Sequence, residues 1–140
     1  MKNTINALNT LLAAQEVFTT NLQNYHWSIK GGEFFTLHAQ LEELYDAMRD
    51  DFDKTAELIL MIDGQPLSRM SDFLKASPIA EAESGFISAK DTLKALEEGY
   101  VSLLKLVEEV PEENRVVTAA MDDMDSSYTK NLWMIRQASM

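Results

Sequence analysis

The sequence predicts an all-α fold: a bundle of four long helices, with one long crossover after the second that carries a short extra helix. Three observations predict it. Apolar residues recur at three- and four-residue intervals over most of the chain. Glycine and proline are few and fall at boundaries, apart from Gly99. Of the three links these boundaries leave, two are short and one is long.

The punctuation (Gly31-Gly32, Gly64, Pro66, Pro78, Gly85, Pro111) leaves helical stretches at about 3–30, 34–62, 86–110 and 112–138. The first carries Leu8, Leu11, Phe18, Leu22, Tyr25 and Ile29 on one face, with Gln15 the one polar interruption. The second carries Leu37, Leu41, Leu44, Met48, Phe52, Thr55, Ile59 and Ile62. The third is the cleanest, with Phe86, Ala89, Leu93, Leu96, Tyr100, Leu103, Val107 and Val110. The fourth runs through Val117, Met121, Met124, Tyr128, Leu132 and Ile135. Gly31-Gly32 and Pro111 permit tight turns, so the first and last pairs of helices are expected as antiparallel hairpins. Residues 63–85 form the long link, in which Ser71 or Asp72 is positioned to cap a short helix near 72–76. At about 3.3 Å per residue, extended chain of that length spans a helix of about 40 Å. Two helical hairpins joined by one long crossover form the ferritin-like connection pattern.

Composition narrows the function. The chain has 140 residues, which predicts one domain over residues 1–140. It has no cysteine, which excludes disulfides, thiolate metal sites and thiol nucleophiles. A net charge of −11 opposes binding to a nucleic-acid backbone and suits cation handling and simple solubility equally well. The longest apolar run, Leu58 to Ile62, is far too short to span a bilayer. The polar start after Met1-Lys2 does not read as a secretory signal, so a soluble cytoplasmic protein is expected.

The only two histidines, His26 and His38, lie equally far on either side of Gly32, so the first hairpin brings them to the same level. The second helix also carries Glu42, Asp53 and Glu57. His38 with Glu42, and Asp53 with Glu57, are each spaced four apart and share a helix side. Imidazole with carboxylate suits iron, zinc or manganese. His38 and Asp53 nevertheless stand about 22 Å apart along the helix axis and cannot serve one metal ion within one chain. A second copy of this helix, packed antiparallel about a two-fold between residues 47 and 48, would set His38 level with Glu57 and Glu42 level with Asp53. Such a dimer creates two identical sites. A solvated acidic face and histidines that merely pack fit the same spacing, which does not choose between these readings. The Glu-x-x-His pair of a bundle-interior di-iron centre is absent, since Gln23 and Phe35 stand three residues before the histidines.

The run Asn24-Tyr25-His26-Trp27, then Gly32, Phe34-Phe35, Leu37-His38, Glu42, Tyr45, Asp53, Ala56-Glu57 and Gly64-Gln65-Pro66-Leu67, resembles the Dps family of mini-ferritins, as does Leu132-Trp133-Met134-Ile135 near the end. The resemblance covers nearly the whole chain. It implies a twelve-subunit hollow shell with ferroxidase centres at its two-fold interfaces. It also implies that His26 and His38 of one subunit act with Asp53 and Glu57 of another, as metal ligands and as the catalytic set. Glu42 occupies a ligand position where the family usually has aspartate. The implied cofactor and substrate is iron, oxidised from Fe(II) to Fe(III), typically by hydrogen peroxide, and stored as ferric mineral against oxidative stress. Trp27 would lie against this centre. Glu112, Glu113, Asp122, Asp123 and Asp125 are candidates for a cation-attracting pore; Glu112 and Glu113 are placed to favour a helix N-terminus, which makes Asp122, Asp123 and Asp125 the better pore candidates. Leu58 stands where the family often has arginine. The alternative role, a shell that compacts DNA, is disfavoured by the charge and by the lack of a basic tail, with only Lys2 ahead of the first helix.

Overall fold

The three-four periodicity is realised in a computed structural model describing residues 1–140. Its helices are α1 (Lys2–Ser28), α2 (Phe34–Met61), the short α3 (Met70–Ala76), α4 (Ala89–Glu108) and α5 (Arg115–Ala138). α1 pairs with α2 and α4 with α5, while α3, on the crossover, lies against α1. This is the all-α, ferritin-like arrangement that the helix spacing and link lengths predict. Twenty-six buried apolar residues form one core, with Phe18, Tyr100 and Tyr128 among its largest fully enclosed or nearly enclosed side chains. Gly31 turns the first hairpin at φ 120°, a backbone conformation open to glycine and strained for other residues.

Helix boundaries differ from the expected ones for identifiable reasons. α1 stops at Ser28 because Ile29 turns extended and forms a parallel bridge to Ile87. Lys30 N–H donates to the Ile87 carbonyl at 3.0 Å, and Ile87 N–H donates to the Ser28 carbonyl at 3.2 Å. That bridge also delays α4 to residue 89, where the Ser88 hydroxyl caps it by accepting from the Asp91 N–H at 3.1 Å. Phe86 therefore belongs to no helix face; it is 81% exposed, beneath the Lys30 ammonium. α5 starts at Arg115, capped by Asn114, whose side-chain oxygen accepts from Val116 and Val117. Glu112 and Glu113 thus precede the helix rather than occupying its first turn. Glu113 instead accepts from the Thr4 hydroxyl at 2.6 Å. Neither Ser71 nor Asp72 caps α3; Asp72 lies in its first turn, where the Arg69 guanidinium holds it at 3.0 and 3.3 Å.

Three asparagines on α1 strap the crossover down. Asn9 accepts from Leu67 N–H at 2.9 Å and donates to the Gln65 carbonyl at 3.2 Å. Asn21 donates to the Ala80 carbonyl at 3.0 Å and accepts from Ala82 N–H at 2.9 Å. Asn24 donates to the Glu83 carbonyl at 3.0 Å. Asn21 is buried, so Asn21→Ala strands two backbone groups. It is expected to lower unfolding free energy by about 1–3 kcal/mol in urea titrations.

Gly99 interrupts no helix. A Cβ there would overlap Cε1 of Phe18, whose ring meets Tyr100 edge-on with centroids 5.2 Å apart. Glycine lets α1 and α4 approach at this level. Gly99→Ala is therefore expected to destabilise by about 1–3 kcal/mol in the same titration, despite alanine's better helix propensity.

Candidate metal centre

α1 ends and α2 begins with an imidazole, and the turn between them stacks the two rings. The His26 and His38 centroids are 3.7 Å apart with planes 11° from parallel. Nδ1 of His26 lies 2.6 Å from the His38 carbonyl oxygen, and Nδ1 of His38 lies 2.7 Å from the His26 carbonyl oxygen. A carbonyl only accepts, so each Nδ1 carries the proton and donates it. In the neutral imidazole the lone pair is then on Nε2, the arrangement by which a hydrogen bond at the other nitrogen orients a ligating histidine. His26 is buried, and its Nε2 faces a Glu42 carboxylate oxygen at 3.6 Å.

Aromatic rings hold this pair in place. Phe34 stacks on His38 at 4.7 Å, and Tyr45 meets His26 edge-on at 5.4 Å. Desolvation, then the nearby carboxylates of Glu42 and Asp46, raise the Tyr45 phenol above its ordinary value, so it stays protonated at neutral pH. Trp27, next to His26 in the sequence, is 70% exposed.

Within one chain, the histidines and Glu42 converge, but Asp53 and Glu57 do not join them. Both lie exposed further along α2. No group of three or more imidazoles and carboxylates in the chain is gathered closely enough to hold a metal ion. The bundle interior offers no alternative of that kind. Its polar layer consists of Gln15, Tyr128 and Asp51: the Gln15 amide donates to the Tyr128 hydroxyl at 3.1 Å, and that hydroxyl donates to Asp51 at 2.8 Å. Burial pushes the Asp51 carboxyl up, partly opposed by the Tyr128 hydrogen bond.

The acidic pore candidates divide between two faces. Asp122 and Asp125 line the groove between α4 and α5 together with Glu112, whereas Asp123 lies 4.0 Å from Lys54 on α2. No helix is long and apolar enough to cross a membrane.

Comparison with known proteins agrees with this architecture. Residues 5–137 match the ferritin-like domain family. The chain is 36% identical to DNA protection during starvation protein 2 of Bacillus anthracis, across 96% of this chain and 95% of the relative. The Dps protein of Staphylococcus aureus superposes with a TM-score of 0.95 at 30% identity, covering 100% of this chain and 97% of that one. The Dps protein of Vibrio cholerae O1, described as a ferritin-like diiron-carboxylate protein, superposes with a TM-score of 0.92 at 34% identity, covering 99% and 90%. With a family match along nearly its whole length, stacked histidines at the first hairpin and one long crossover, the chain belongs to the Dps family of mini-ferritins.

Proposed function

We propose that residues 1–140 act as one mini-ferritin domain that oxidises ferrous iron at sites shared between two subunits and stores the ferric product in a hollow twelve-subunit shell. In this reading His26, His38 and Glu42 of one subunit act with Asp53 and Glu57 of the other. The observation that carries it is the reciprocal pair of Nδ1–H···O=C bonds, which orients both Nε2 atoms, that of His26 lying 3.6 Å from Glu42, while the chain by itself gathers no group of three such ligands. The donor set suits the substrate: imidazole helps to hold ferrous iron, and carboxylates favour the harder ferric product. Two ferrous ions each give one electron to one hydrogen peroxide, whose O–O bond breaks to two hydroxides without release of a radical. Removal of peroxide and ferrous iron together makes protection from oxidative stress the cellular role, in the cytoplasm. Asp122 and Asp125 are the better placed acids for drawing cations toward a pore.

The test is to add ferrous iron and peroxide to purified protein and to follow ferric absorbance. Oxidation faster than in protein-free buffer is expected, with loss of that advantage in Asp53→Ala. A native mass of one subunit would remove the storage cavity and overturn the reading.

A second reading is favoured by the relatives' own designation as DNA protection proteins. Twelve chains at −11 each carry well over a hundred negative charges, which oppose direct contact with a phosphate backbone. A mobility-shift assay at moderate salt is therefore expected to show no complex, and a shifted band would restore the DNA-binding role.

A further inference from the structure

α1 packs along one side of α2, and α5 meets it more sparsely on the other, leaving an outward face uncovered. That face has a distinct pattern. Near its ends Phe35 is 87% exposed and Leu60 is 54% exposed. Near its middle Asp46 and Arg49 are exposed, and neither forms an ion pair within the chain, although they stand three apart on one helix. The Arg49 guanidinium lies instead 5.9 Å from the Tyr45 ring centroid.

The two-fold between residues 47 and 48 was located from the histidines and carboxylates alone. The same axis sets Asp46 level with Arg49 of the partner subunit and Phe35 level with Leu60 of the partner subunit. At about 100° per residue, Phe35, Asp46, Asp53 and Leu60 lie within about 40° of one another around α2, so one contact can engage them all. Arg49 lies about 60° from Asp46 on a long stem ending in a planar donor fork. Apolar thus meets apolar, and acid meets base, in positions that did not enter the placement of the axis. Sliding the partner by one helical turn loses this match: in one direction Glu42 faces Glu57 and Asp46 faces Asp53, and in the other Leu60 faces Gly31 and Asp46 faces Tyr45. The first of these registers sets two carboxylate pairs level and parts Asp46 from Arg49, whereas in the proposed register the one level carboxylate pair, Glu42 with Asp53, falls at the metal site.

We propose that reciprocal Asp46–Arg49 ion pairs, with Phe35 against Leu60 of the partner subunit at either end, hold α2 against a second copy in the register that assembles the metal sites. The proposal rests on the reading of the metal centre as shared between subunits, and adds which residues enforce the sharing.

The absence of cysteine permits a direct test. Phe35→Cys with Leu60→Cys places two thiols about 37 Å apart within one chain, far beyond the roughly 7 Å limit of a disulfide, so any bridge joins two chains. Treatment with oxidised glutathione is expected to give a covalent dimer on a non-reducing denaturing gel. Adding Arg49→Asp, or Asp46→Arg, is expected to lower the cross-linking rate about tenfold, and the two together to restore it. All four positions are exposed, and helicity by circular dichroism checks that folding is unchanged. No cross-link in the parent pair overturns the register. Cross-linking indifferent to charge reversal, or not restored by the double reversal, overturns the ion pairs. Iron oxidation by the unmodified protein is measured alongside. If it is fast while cross-linking ignores the charges, this proposal falls and the iron reading stands. If it is absent while cross-linking follows the charges, the iron reading falls and the interface stands.

Discussion

Replacing His26 by alanine is expected to slow ferrous-iron oxidation by about a hundredfold or more. The loss should come from the missing ligand rather than from collapse of the hairpin. His38 is tethered through its Nδ1 to the backbone carbonyl of residue 26, not to the imidazole, so its orientation survives the substitution. Stopped-flow ferric absorbance reads the rate, and native mass checks that assembly is retained. An unchanged rate would show that the paired imidazoles only pack.

The second large effect concerns stability. Tyr128→Phe is expected to cost about 2–3 kcal/mol, because it removes the donor to Asp51 and leaves the buried Gln15 amide without its hydroxyl partner. The same change should alter the pH dependence. Burial holds the Asp51 carboxyl above its ordinary value, so between its unfolded and folded pKa values the folded state binds more protons than the unfolded state. In that window Asp51 makes the protein gain stability as pH falls, and its ionised form carries the full cost above the folded pKa. The Tyr128 hydrogen bond lowers the folded pKa. Tyr128→Phe should therefore extend this window to higher pH, and Asp51→Asn should abolish this contribution. Urea denaturation between about pH 4 and pH 7 reads both changes.

What could be read in the sequence follows from what periodicity encodes. Leu96, Tyr100, Leu103 and Val107 recur on one face because an α-helix must bury a stripe, so the long helices and their pairing were legible. The level of His26 with His38 followed from the turn at Gly31-Gly32. Contacts to backbone were not legible. The Nδ1 bonds of the two histidines end on carbonyls, which every residue possesses, and the crossover straps of Asn9, Asn21 and Asn24 likewise end on main-chain groups. Phe86 misled because its spacing fitted the α4 face, while the bridge of Ile87 to Ile29 held that segment extended. Gln15 stood out as a polar residue on an apolar face. Its partner Tyr128 lies on another helix, beyond the reach of local pattern. Glu112 and Glu113 were misplaced by the few residues that separate Pro111 from the Asn114 cap.

If one metal site needs two chains, two defective proteins should complement each other when mixed. His26→Ala/His38→Ala subunits and Asp53→Ala/Glu57→Ala subunits are each expected to be inactive alone. Unfolded together and refolded as an equal mixture, half the subunit pairs should be mixed, and each mixed pair regains one intact site of its two. The mixture is then expected to recover about a quarter of the wild-type oxidation rate. A mixture as inactive as its parents, or either parent retaining the wild-type rate, would contradict the shared site.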